Sequence, residues 1–287
     1  MRAKTNGIEI EYETFGSPAD PTLLLVMGFS LQMIDWDDRF CAMLAERGFR
    51  VVRFDNRDVG LSSKIASTKV PDIGGLLRGD HSSASYALDD MANDAIGLLD
   101  AIDVPSAHWV GMSMGGMIAQ LAAILAPDRV RSLTSIMSTT GNRAVGQATP
   151  EALSVLLTPV PWERDANIAR SLAIWKILAS PKHGIDDDTY RARAALAFDR
   201  SFHPQGVARQ LAAILSARDR TAELARVRAP TLVVHGVDDP LIGKSGGEAT
   251  AKAVPGAELL LVPEMGHELP PRVWPQIVDA IVANTKR

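Results

Sequence analysis

Gly111-Met112-Ser113-Met114-Gly115 is the segment of this chain best suited to covalent chemistry. A serine hydroxyl is a weak nucleophile until a neighbouring base takes its proton. A glycine on each side of Ser113 permits a tight strand-to-helix turn that lifts the hydroxyl clear of the backbone, and Gly116 adds room. The expected base is His267, in Met265-Gly266-His267-Glu268, downstream of every other candidate. Of the other five histidines, His108 and His235 fall in or at the end of expected strands, and His81, His183 and His203 fall in loop and helical-insert regions. A carboxylate must hold the imidazole, and in the expected chain order it lies between serine and histidine. Gly236-Val237-Asp238-Asp239-Pro240 offers two, and position alone favours neither. An oxyanion needs two backbone N–H donors. The amide of Met114, directly after the serine, is one candidate, and the amide of Phe29, in Gly28-Phe29, is the other. Together these groups are suited to acyl transfer.

The elements that must carry these residues can be read from hydrophobic spacing. Strands are expected at Ile8–Phe15, Thr22–Met27, Arg50–Phe54, Ala107–Val110, Val130–Met137, Thr231–His235 and Glu258–Val262. Helices are expected at Asp37–Arg47, Leu88–Ile102, Gly115–Leu125 and Val273–Asn284. Alternating strands and helices indicate a mostly parallel sheet covered on both faces, an α/β fold. The alternation lapses after Met137. Glu151–Leu157, Arg164–Leu178, Asp187–Phe198 and Pro204–Leu215 all have helical spacing, separated by Pro159, Pro161 and Pro181. The expected organisation is a core of residues 1–138 and 220–287 with a helical cap at 139–219. Apolar cap residues, among them Leu153, Leu156, Trp162, Trp175, Leu196 and Phe198, are expected to face inward over Ser113. Trp162, Trp175 and the elbow's Met112 are the candidates for the pocket wall.

Composition excludes several function classes. The 287 residues are 46% hydrophobic and 22% charged, with 30 basic and 34 acidic residues and a formal charge of −4. No strong positive field is available to hold nucleic acid or an anionic membrane. The single cysteine, Cys41, excludes an internal disulfide and a cysteine-built zinc site. No metal-binding motif, Gly-x-Gly-x-x-Gly or phosphate loop is present, so no metal or cofactor is expected. Residues 1–15 lack the apolar stretch of a signal peptide, and no run reaches the roughly 18 apolar residues of a membrane span. A cytoplasmic location is the default expectation. Asp55 and Arg57, in the polar segment Asp55–Ser62, are expected to be structural ion-pair or hydrogen-bond partners.

The same motifs resemble those of the capped α/β-hydrolases, and within them the actinobacterial carboxylic-ester hydrolases and, more distantly, the aclacinomycin methylesterases. Val26-Met27-Gly28-Phe29 is similar to the family's His-Gly-x oxyanion segment, with Met27 in place of the common histidine. Asp55–Ser62 resembles the Asp-x-Arg-Gly-x-Gly-x-Ser loop but departs from it at Asp58-Val59. Arg200-Ser201-Phe202-His203-Pro204 and Met265–Pro270 also resemble this branch. The resemblance implies an α/β-hydrolase fold, Ser113 as nucleophile, His267 as base and, since the family's acid is the last residue of Gly-x-x-Asp, Asp239 rather than Asp238. It further implies a serine carboxylic-ester hydrolase acting on small to medium hydrophobic esters. A lactonase is the nearest alternative, followed by a cofactor-free perhydrolase and a non-enzymatic binding protein.

Overall fold

The computed structural model describes residues 1–66 and 70–287. Among them, strands β1 (Arg2–Thr5), β2 (Ile8–Phe15), β3 (Thr22–Val26), β4 (Arg50–Phe54), β5 (Ala107–Met112), β6 (Val130–Ile136), β7 (Thr231–Gly236) and β8 (Glu258–Val262) form one sheet in the order β1-β2-β4-β3-β5-β6-β7-β8. From β4 to β8 every neighbouring pair is parallel, while β2 runs antiparallel to both β1 and β4. The helices are α1 (Asp38–Ala45), α2 (Ile73–Leu77), α3 (Leu88–Ala101), α4 (Met114–Leu125), α5 (Pro150–Leu157), α6 (Arg164–Leu178), α7 (Asp187–Arg200), α8 (Pro204–Leu215), α9 (Thr221–Leu224), α10 (Ser245–Ala253) and α11 (Trp274–Asn284).

The central strands β3 and β5 are buried along their whole length because helices cover both faces, which is why β3 reads as a nearly continuous apolar run. One core lies between the sheet and α3 and α4, where Leu24, Val26, Met91, Leu98, Trp109 and Ile118 meet. The other lies against α1 and α11, around Leu23, Leu25, Phe40, Val110, Ile277 and Ile281. Cys41 is buried in this second core, and burial pushes its thiol up to about 12, far from a reactive thiolate.

The chain passes from β3 to β4 on one side and later returns to place β5 on the other. The crevice at the carboxyl ends of β3 and β5 is therefore the sheet's switch point, where ligands of open α/β sheets bind. Helices α5 to α9 lie between β6 and β7. The two ends of this stretch meet: the Arg220 amide donates to the Thr140 carbonyl at 2.8 Å, and the buried Arg220 guanidinium donates to the carbonyl of Thr139. Four elements were not legible from spacing, namely the edge strand β1 and helices α2, α9 and α10.

Polar side chains stitch α7 and α8 to the loops after β3 and β4. Arg200 pairs with Asp55 at 2.7 Å and Arg209 makes a two-pronged contact with Asp58 at 2.7 and 2.9 Å. Asp58 also accepts from the Tyr86 hydroxyl, and Arg57 pairs with Asp94 at 2.6 and 2.7 Å. Asp55 and Arg57 are thus buried structural partners, and the departure from the family pattern at Asp58 supplies the carboxylate that Arg209 holds.

Candidate active site

Ser113 is the hinge between β5 and α4, at φ 56° and ψ −120°. A non-glycine residue in that region is strained and is held only where its surroundings over-determine it. Here the Ser113 amide donates to the Ile136 carbonyl at 2.9 Å, and the Ser138 hydroxyl donates to the Ser113 carbonyl at 2.8 Å. Side chains cannot replace the flanking glycines. A Cβ on Gly115 would lie 2.0 Å from the Val26 carbonyl oxygen, and one on Gly111 would lie 2.1 Å from that of Gly115.

His267 and Asp239 come from the loops after β8 and β7, at the same edge of the sheet. His267 Nε2 is 3.0 Å from Ser113 Oγ, and His267 Nδ1 is 2.7 Å from Asp239 Oδ2. The other oxygen of Asp239 accepts from the amides of Leu241 and Ile242, both at 2.9 Å, so the carboxylate is fully engaged and its side chain is shielded from solvent. The exposed Asp238 makes its contact through its backbone, donating its amide to the Met265 carbonyl. The two loops touch because Gly236 lacks a side chain: its Cβ would meet the Met265 carbonyl oxygen at 2.2 Å. The His267 amide donates to Leu178 of α6 at 2.7 Å.

Phe29 follows β3, the neighbour of β5, and Gly28 packs close to the Ser113 turn: a Cβ on Gly28 would lie 3.2 Å from the Met112 carbonyl oxygen and 3.3 Å from the Ser113 Cβ. Among the described residues the Phe29 amide has no protein acceptor. Met114 supplies the first amide of α4, which has no acceptor a turn earlier. Both donors are free for a developing negative charge.

These groups open onto a cavity of about 460 Å³. Four of the seven phenylalanines and three of the five tryptophans border it, together with a larger number of aliphatic and polar residues. Met112 and Trp175 line it, as do Leu156 and Phe198. Trp162 does not: it is 66% exposed and packs edge-on against Phe202 on the outer side. Leu153 and Leu196 are exposed as well. These three are corrections to the expected inward face. Helices α6 and α7 lack a strong apolar stripe, so composition alone did not reveal which side turns inward.

The wall is also more polar than expected. Asp35, Asp37, Asp58, Arg170, Arg193 and Glu268 border the cavity. Most are engaged: Arg193 with Asp37 at 2.8 Å, Arg170 with the Thr158 carbonyl at 2.8 Å, and Glu268 with the Ser180 amide at 3.0 Å. Among the described residues Asp35 accepts only from the Gln32 amide, and burial pushes its carboxyl up to about 6. Among the described residues no cluster of three or more His, Cys, Asp or Glu is placed to hold a metal ion. No described helix is long and apolar enough to cross a membrane.

Sequence reasoning missed Gln32, Gln210 and His235. His235 is fully buried behind Asp239, with Nε2 2.7 Å from the Ile242 carbonyl, and burial holds its pKa below the usual histidine value. The only signal in the chain was its place four residues before Asp239.

A sheet of this topology, with serine, histidine and carboxylate converging at its carboxyl edge beneath a helical insertion, defines the class to which comparison with known proteins assigns the chain. Residues 21–270 match the alpha/beta hydrolase fold family, and the chain belongs to it. Rhodomycin D methylesterase DauP of Streptomyces sp. (strain C5) is 31% identical, over 96% of this chain and 94% of its own. Rhodomycin D methylesterase DnrP of Streptomyces peucetius is 30% identical over the same shares. Among solved structures, the enol-lactonase from Burkholderia xenovorans LB400 superposes with a TM-score of 0.79 over 100% of both chains at 20% identity, a likeness of fold. The protein is a hydrolytic enzyme of this family.

Proposed function

We propose that the protein is a serine carboxylic-ester hydrolase working through an acyl-enzyme. The observation that carries this reading is the unbroken chain of contacts from Ser113 Oγ through the His267 ring to the shielded Asp239 carboxylate, at 3.0 and 2.7 Å. As Ser113 Oγ attacks the ester carbonyl, its proton passes to His267 Nε2. The oxyanion is held by the Phe29 and Met114 amides. His267 gives the proton to the leaving alkoxide, the C–O bond breaks, and an acyl-serine remains. Water then loses a proton to His267 and attacks the acyl carbon. The acid departs as Ser113 recovers its proton. Asp239 holds the imidazole with Nδ1 protonated and stabilises its charged form.

Residues 139–219 act as the cap in this reading, because α5 to α8 supply much of the cavity wall above Ser113. A cavity of about 460 Å³ is within the range of drug-sized ligand sites. With aromatic and aliphatic side chains in its wall it suits a hydrophobic ester of medium size, and the names of the Streptomyces relatives make methyl esters the first substrates to try. Ser113→Ala tests the reading. The variant keeps its fold and loses turnover of an activated ester, and undiminished turnover would overturn it.

A further inference from the structure

Gln210 lies on α8, inside the helical insertion, 97 positions beyond Ser113 in the chain. Its side chain is fully buried. Its Oε1 accepts from the Ser30 amide at 3.0 Å, and its Nε2 donates to the Arg57 carbonyl at 2.8 Å. Ser30 is the residue after the proposed oxyanion donor Phe29, and it sits at φ 61°, which a serine rarely adopts unaided. On the other flank, the Asn56 side chain donates to the Met27 carbonyl at 2.9 Å. The Gly28-Phe29 segment is therefore pinned at both ends. Of the amides between these pins, Phe29 N is left without a protein acceptor among the described residues.

We infer that Gln210 is a positioning residue for the oxyanion hole: by fixing the Ser30 amide it holds the Phe29–Ser30 turn so that the Phe29 N–H points at the reacting carbonyl. The inference rests on the ester-hydrolase reading above and adds to it a role for the insertion. The insertion covers the site and also completes its electrostatic machinery. Both ends of the Gln210 amide are used, each on a different core loop, which a residue placed only to fill space would not need. A preorganised donor is effective because its orientation is set before charge develops, so loosening the turn weakens transition-state binding more than substrate binding.

The test is Gln210→Met, which keeps the length of the side chain and removes both bonds. Its kcat on a p-nitrophenyl ester should fall by ~10-fold to ~100-fold, the scale of a misplaced rather than deleted oxyanion donor. KM should stay within about twofold, since the cavity wall is unchanged. The rate at which an organophosphonate labels Ser113 should fall by the same factor as kcat. A folded variant with wild-type kcat and labelling rate, or one whose loss is confined to KM, overturns the inference and leaves the ester-hydrolase reading standing. Failure of the wild-type enzyme to label at Ser113 overturns both. Should the variant not fold, amide hydrogen exchange on the wild-type enzyme decides. The Ser30 amide should be protected in the free enzyme, and the Phe29 amide should become protected only on phosphonylation. A rapidly exchanging Ser30 amide, or a Phe29 amide indifferent to the phosphonate, overturns the assignment.

Discussion

Replacing Asp239 by asparagine reverses a single hydrogen bond at the centre of the site, and the structure dictates which way the new amide must face. Oδ1 of Asp239 accepts from two backbone amides, Leu241 and Ile242, at 2.9 Å each. Turning the asparagine NH₂ toward them would leave both donors unpaired, at about 1–3 kcal/mol each. The asparagine oxygen therefore stays where it is, and the NH₂ faces His267 Nδ1. That nitrogen must then accept, so the proton sits on Nε2, pointing at Ser113, and the imidazole cannot take the serine proton. In serine enzymes this error of tautomer costs about 10⁴-fold in kcat, or about 5.4 kcal/mol of barrier. Stability should change little, because the two amide bonds survive. The assay is kcat on one activated ester for Asp239→Asn and Asp238→Asn side by side, with thermal melting as a control. Asp238 is exposed and is held through its backbone, so its variant should remain within about twofold of wild type. A loss below tenfold at Asp239, or a larger loss at Asp238, would refute the reasoning.

Asp35 should make stability fall with rising pH in an unusual window. Burial raises its pKa from 3.8 to about 6, so between those values the unfolded chain has released a proton that the folded one keeps, and raising the pH favours unfolding. Asp35→Asn keeps an acceptor for the Gln32 amide and removes this dependence. Melting temperatures from pH 4 to 7 should therefore decline more steeply for wild type than for the variant, and parallel curves would count against the assignment. Across p-nitrophenyl esters, each added acyl methylene should raise kcat/KM about fourfold, from ~0.8 kcal/mol of burial, until the cavity fills. A carboxylated ester should be slower, because Arg193 is already paired with Asp37 and Asp35, Asp58 and Glu268 also border the cavity. Rates that ignore acyl size, or a faster charged ester, would contradict this.

What the chain revealed by itself follows from how local each cause is. The α/β pattern was legible because the buried parallel strands are predominantly apolar and the helices between them are amphipathic. The Ser113 turn was legible because its flanking glycines have a steric reason, the 2.0 and 2.1 Å clearances at Gly115 and Gly111, that any chain making this turn must meet. The acid was different. Asp238 and Asp239 share one turn, and only its path across the Met265 loop decides which carboxylate faces His267. Resemblance to a family pointed to Asp239, and residue type could not. Helix α10 has a weak local pattern because Gly246 and Gly247 sit in its first turn. They are there because Thr139 and His235 pack against the backbone, with a Cβ on Gly247 only 2.4 Å from the His235 ring. Gln32, Arg209 and Gln210 carried no local signal at all, and Arg200 stood out only within a stretch that resembles the family. Their partners lie 145 to 180 positions away in the chain, and a long polar side chain looks the same whether it is solvated or buried in a seam. Trp162 misled for the complementary reason: a large apolar residue in the bend between α5 and α6 can face outward, where it packs on Phe202.

The most direct measurement of the central claim is intact-protein mass spectrometry after treatment with an organophosphonate ester, followed by peptide mapping. The mechanism predicts one phosphonyl group per chain, on Ser113, with turnover lost in proportion to labelling and no label on Ser113→Ala. A label on any other residue, or full turnover from quantitatively labelled enzyme, would contradict it.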